Sequence, residues 1–115
     1  MTLRHPLPDD LVGLIAERFR ALGEPTRIKL LDRLRHGEAS VLELTNVIGT
    51  TQQNVSKHLR LLQHAGIVDR RRQGNYVYYR IVDESVETLC EAVCGSLQNQ
   101  VEALREIVWA RGGAP

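Results

Sequence analysis

No stretch of this 115-residue chain approaches the roughly 18 consecutive apolar residues that a membrane-spanning helix requires. The opening residues, MTLRHPLPDD, lack the apolar core of a secretory signal. Both absences point to a cytoplasmic protein without a membrane partner. In that compartment the two cysteines, Cys90 and Cys94, are expected as thiols rather than as a disulfide. A Gly-rich phosphate loop, a nucleophile elbow and a cluster of metal ligands are also missing, which argues against an enzyme. Ser56 and His58, the nearest thing to a nucleophile and base, point in different directions on a helix. No low-complexity tract interrupts the chain, and its apolar (43%) and charged (25%) fractions are those of a folded protein. One domain over residues 9–111 is expected, with flexible ends at 1–8 and 112–115.

Net charge is nearly absent as well, at +1, but the sum hides a segregation. Residues 1–49 carry seven basic and seven acidic side chains. Residues 50–80 carry six basic ones against Asp69 alone, a net +5, and residues 81–115 carry two against six, a net −4. A basic middle in a neutral chain suggests a polyanionic partner at one face, or else a solvated basic surface.

Apolar residues at Leu11, Leu14, Ile15, Phe19 and Leu22 make a helical stripe that Gly23 stops. Pro25 suits the first turn of a second helix, with a stripe of Ile28, Leu31 and Leu34 closed by Gly37. Ser40 and Glu43 have the spacing of a capping box and open a short third helix, ended by Gly49. Thr50 and Gln53 repeat that spacing and open a fourth, ended by Gly66. Two capped helices separated only by Gly49 and Thr50 form a tight helix-turn-helix. The stretch IVDRRRQGNYVYYRIV then reads as a β-hairpin, with Val77, Tyr79 and Ile81 on its inner face and Tyr76, Tyr78 and Arg80 outside. A last helix from about Asp83 to Ala110 carries a seam of Val86, Leu89, Cys90, Val93, Leu97, Val101, Leu104 and Val108. That seam is expected to need more cover than one small subunit gives, and a partner subunit is its simplest cover. The expected fold is mainly α with a two-stranded β wing, in the order α-α-α-α-β-β-α.

In the fourth helix Val55, Leu59 and Leu62 share one face, while Gln52, Gln53, Ser56, Lys57 and Arg60 cluster opposite. The major groove of DNA admits one helix, read by the N-terminal residues of the second helix of a helix-turn-helix. Amides and hydroxyls there can pair with base edges, and Thr51, Gln52, Gln53, Asn54 and Ser56 supply them. Acids are absent from the whole helix, while Lys57, Arg60 and the hairpin arginines Arg71 and Arg72 suit phosphates. Gln73, Gly74 and Asn75 form the projecting loop between the strands. His58 lies between the two sides, open to packing or to a phosphate. His36 and His64 sit at helix C-termini, where partial positive charge is favoured. The bland reading of Gln52 and Gln53 is plain surface polarity, and the rival module is a winged helix that binds protein and no operator.

The segments FRALGEPTRIKLLDRL and NVSKHLRLLQHAGIVDRRRQGNYVYYRI, with the helix after them, resemble the ArsR/SmtB family of bacterial winged helix-turn-helix repressors. The resemblance covers nearly the entire chain. It implies a homodimer built through the first helix (Leu11, Leu14, Ile15) and the last, binding an imperfectly palindromic double-stranded DNA operator and leaving it when an inducer is sensed. It places Gln52, Gln53, Ser56, Lys57 and His58 on the recognition helix, Gly74 at the wing tip and Tyr79 on the wing's buried face.

Soft-metal sensors of that family often carry thiolates in a stretch reading E-L-C-V-C-D-L. Ser40 and Leu42 stand at the cysteine positions here, so that site is lost. No histidine follows His64, so the zinc or nickel site of the last helix is lost too. Cys90 and Cys94 remain. At i, i+4 their Cβ atoms lie about 6 Å apart, beyond the roughly 4 Å of a disulfide, so bridging them within one helix needs unwinding near Gly95. Two thiolates are too few for a closed zinc site, but a metalloid or soft-metal inducer could use them with a third ligand from another subunit. An intersubunit disulfide and a single oxidisable thiol are further readings. The plainer one makes both cysteines apolar fillers of the seam. No cofactor is required by any of these.

Overall fold

Each helix begins and ends for a local reason. In this computed structural model, which describes residues 3–112, helix α1 (Asp9–Leu22) places Asp9 and Asp10 in its first turn, where carboxylates favour the exposed N–H groups. Helix α2 (Pro25–Leu34) starts with Pro25, and the Glu24 side chain accepts from the Arg27 N–H at 3.0 Å. Strand β1 (Ala39–Ser40) leads directly into helix α3 (Val41–Ile48). There the expected capping box forms: the Glu43 N–H donates to Ser40 Oγ at 3.1 Å, and the Ser40 N–H donates to Glu43 Oε1 at 3.5 Å. Gly49 closes α3 at φ 77°, a left-handed conformation that an L side chain rarely adopts.

Helix α4 (Gln52–His64) starts one residue later than the sequence spacing suggests. Thr51, not Thr50, is the cap, with its Oγ1 accepting from the Asn54 N–H at 3.1 Å. Gln53 therefore has no part in a capping box. Strands β2 (Val68–Gln73) and β3 (Tyr76–Ile81) pair antiparallel across a two-residue turn. Gly74 takes φ 62° while no other residue type among the described residues has positive φ, so glycine supplies the turn's left-handed residue.

Two expectations change here. The expected two-stranded wing forms as β2 and β3, and β1 adds to it on β3 (Ala39 opposite Tyr79), giving a three-stranded antiparallel sheet in the order β1-β3-β2. Two residues give too short a pattern to read as a strand in sequence. The buried line of α2 also runs Leu30, Leu31 and Leu34, leaving Ile28 exposed. That line starts at Arg27 rather than Ile28, since i, i+3, i+4 and i+7 fall at 27, 30, 31 and 34.

The chain divides at Asp83 into two compact units. In the first, the fully buried side chains Leu30, Leu44, Val55, Leu59, Leu62 and Ile67 join α2, α3 and α4 to the base of the sheet. Tyr79 closes the sheet side, buried on the inner face as its alternation requires. Arg18 pairs with Asp83. On α1, by contrast, Leu11, Leu14, Ile15 and Phe19 all remain exposed, and only Leu22 is buried.

The second unit is helix α5 (Glu84–Gly112), opened by Glu84 and Glu87 in its first turn. Val93, Leu97, Val101, Leu104 and Val108 are exposed along it, as are Ile107 and Trp109. Leu89 is half-buried. Val86, expected on the intersubunit seam, is buried. The expected flexible ends fall partly outside the described residues, at 1–2 and 113–115. Among the described residues no helix is long and apolar enough to cross a membrane.

Candidate nucleic-acid interface

Val55, Leu59 and Leu62 fix α4 by burial, and this turns Gln52, Gln53, Lys57 and Arg60 outward. Ser56 is half-buried beside them. No acid occurs on the helix. Thr51 and Asn54 are partly committed to the turn: Thr51 caps the helix, and the Asn54 amide donates to Thr50 Oγ1 at 3.3 Å. The exposed face can thus offer two free amides, a hydroxyl and two cations to a polar ligand.

His58 corrects the expectation that placed it among the DNA-facing residues. It completes the buried line 55, 58, 59 and 62, and its side chain is 11% exposed. Its Nδ1 lies 3.1 Å from Arg27 Nη1 and 3.6 Å from Glu24 Oε2. The same Arg27 donates from Nε to the Ala21 carbonyl at 2.6 Å and from Nη2 to the Arg20 carbonyl at 3.2 Å. One guanidinium therefore caps the end of α1, sits on α2 and holds α4. Burial works to raise the Glu24 carboxyl. The backbone N–H groups of Arg27 and Thr26, with His58 and Arg27 nearby, outweigh it and leave Glu24 below its ordinary value. The GEPTR segment gave no sign of this, because the partner lies 31 residues on.

The wing arginines divide by strand register. Arg71 lies opposite Tyr78 on the outer face, and Arg70 and Arg72 lie opposite Tyr79 and Val77 on the inner one. Arg71 is engaged within the chain. Its Nε and Nη2 grip both Glu38 oxygens at 2.9 and 2.6 Å, its Nη1 donates to Gln73 at 2.6 Å, and its guanidinium lies 4.7 Å from the Tyr78 ring centre. The Arg71 guanidinium holds the Glu38 carboxyl below its ordinary value. Arg72 is exposed and has no side-chain partner among the described residues. Gly74 and Asn75 form the exposed turn, while Gln73, expected in the loop, is exposed but ends β2 opposite Tyr76.

Between α4 and the wing runs a groove of about 440 Å³, lined by Gln52, Ser56, Arg60, Arg70, Asn75 and Tyr76 among others. Arg70 and Tyr76 were not singled out from the sequence, although the period-two alternation that buries Tyr79 places Arg70 on this side. On α5, Cys90 is half-buried and Cys94 exposed, both as thiols. Among the described residues no group of three or more His, Cys, Asp or Glu could hold a metal ion.

A family model described as a helix-turn-helix domain matches residues 22–71. The chain is 43% identical over 84 residues to the HTH-type transcriptional regulator KmtR of Mycobacterium tuberculosis, an overlap covering 73% of this chain and 65% of that protein. It spans about 61 to 65% of the length of the first curated relatives it matches. Among solved structures it superposes on Mb0332 from Mycobacterium bovis, a homodimeric winged helix-turn-helix DNA-binding domain described as a possible ArsR-family regulator. There the TM-score is 0.77 at 29% identity, covering 90% of this chain and 95% of that one. The AntR antimony-specific transcriptional repressor gives a TM-score of 0.77 at 30% identity, covering 86% of this chain and 90% of that one. With the capped helix-turn-helix, the hairpin wing and these likenesses together, the chain belongs to the ArsR/SmtB family of winged helix-turn-helix regulators.

Proposed function

We propose that this protein is a sequence-specific, double-stranded DNA-binding transcriptional regulator of the cytoplasm, acting as a homodimeric repressor. The observation that carries the reading is the outward face of α4, where Gln52, Gln53, Ser56, Lys57 and Arg60 stand without a single acid beside the groove of the wing. Amides there address base edges, and the cations address phosphates. Exposed apolar side chains on α1 and on α5 support a twofold partner, since monomers seldom leave such faces in water. A dimer brings two reading helices to successive turns of one duplex. Electrophoretic mobility shift with the protein's own upstream DNA at two salt concentrations tests the reading. Specific retardation that weakens strongly with salt is expected. Retardation absent at both salts would leave a protein-interaction module instead.

Sensing, in this reading, runs through Cys90 and Cys94. They share one helical face, one thiol half-buried and the other exposed. Two thiolates fit a three-coordinate metalloid or soft metal only with one further ligand, which the second subunit would supply. A Cys90→Ser, Cys94→Ser variant should keep folding and DNA binding yet lose release by arsenite or antimonite. Normal release by those ions would leave the cysteines as seam fillers.

A further inference from the structure

The groove between α4 and the wing carries two arginines that form no ion pair among the described residues. Arg60 stands on the helix wall and, among the described residues, bonds only through Nε, donated to the Ser56 carbonyl at 3.3 Å. Arg70 stands on the wing wall, and its guanidinium has no hydrogen-bond or ion-pair partner among the described residues. No acid lines the groove. Two like charges turned into one groove disfavour the isolated fold, and an anionic strand between them removes that cost. A guanidinium also matches a phosphate bidentately. Arg71 stands in a different position: to reach a phosphate it would have to release two charge-assisted bonds to Glu38 and its place on Tyr78.

Building on the DNA-binding reading above, we propose that Arg60 and Arg70 clamp one sugar-phosphate strand, one from each wall of this groove, while Arg71 acts as a strut that keeps the wing in shape. The strand so held borders the bases that α4 faces, so the clamp sets how deeply the helix sits. Specificity then belongs to the amides and a large share of the salt dependence to these two arginines.

Fluorescence anisotropy of the full chain with a short random-sequence duplex and with its upstream DNA, across a salt series, tests this. Each neutralised phosphate contributes about 0.9 to the slope of log K against log salt, so removing one arginine–phosphate pair from each subunit lowers a dimer's slope by about 1.8. Arg60→Ala and Arg70→Ala should each show that drop on both duplexes, and Arg70→Lys should restore most of it. Arg71→Ala should leave the slope within about 0.5 of wild type while lowering the melting temperature. Circular dichroism verifies folding, and Arg70→Gln replaces Arg70→Ala should alanine disturb the strand. The clamp is overturned if wild-type protein binds but the Arg60 and Arg70 variants keep its slope, or if Arg71→Ala flattens it equally. Wild-type protein that binds neither duplex would instead refute the regulator reading, and the clamp with it.

Discussion

Removing the Arg27 guanidinium should loosen three helices at once. Its bonds to the Ala21 and Arg20 carbonyls satisfy the end of α1, and its bond to His58 Nδ1 satisfies a buried ring on α4. A bond to a charged group is worth about 1.5–3 kcal/mol, and a buried polar group left unpaired costs about 1–3 kcal/mol. The carbonyls at the end of α1 are partly open to water and can be rehydrated, so simple addition overshoots. Arg27→Ala should therefore cost about 2–4 kcal/mol in total. Equilibrium urea unfolding at fixed protein concentration measures this, since a dimer's stability depends on concentration. With a slope of about 2 kcal/mol/M, the midpoint should fall by roughly 1–2 M. Arg27→Lys should recover only part, because one ammonium cannot span the three acceptors. Arg33→Ala provides the comparison: it removes a 3.5 Å pair with the exposed Glu43 and a solvent-exposed bond to the Gly37 carbonyl, and should cost less than about 1 kcal/mol. If Arg27→Ala and Arg33→Ala unfold at the same urea concentration, the three-helix role of Arg27 is refuted.

Other outcomes follow from the same geometry. Glu38 is held below its ordinary value of 4.5, so its contribution to stability is complete above that pH and is lost as pH falls through the lower folded value. Urea midpoints for Glu38→Gln against wild type should thus differ at pH 7 and converge in acid; a gap that persists in acid would contradict the pairing. Leu97→Glu on the exposed face of α5 should give monomers by analytical ultracentrifugation and weaken operator binding far more than random-DNA binding. A dimeric Leu97→Glu protein would move the partner surface elsewhere. Leu59→Ala, at a fully buried position, should cost about 2–5 kcal/mol by chemical denaturation; a smaller cost would mean that α4 is not packed as described.

The order of helices and the hairpin were legible because their signals are local. The Ser40–Glu43 capping box, the left-handed Gly49 and Gly74, and the alternation that buries Tyr79 each lie within a few residues of one another. What escaped depends on partners far along the chain. β1 exists only because Ala39 meets Tyr79, and the groups that receive the His58 ring, Arg27 and Glu24, lie on segments far from it in sequence. In the site, periodicity separated the amide face of α4 from its core face, but it could not assign duties among three consecutive arginines. Register does so, by giving Arg71 to Glu38 and Arg70 to the groove.

Selection of bound duplexes from a random-sequence pool, run with wild-type protein and with Gln52→Ala, addresses the reading head most directly. The wild type should enrich a twofold-symmetric site with half-sites about one helical turn apart. Gln52→Ala should lose preference at one matched base position in each half, at a cost of about 1–3 kcal/mol on the wild-type site. An unchanged enriched motif for Gln52→Ala, or a wild-type pool with no symmetric motif, would contradict a paired helix α4 reading DNA.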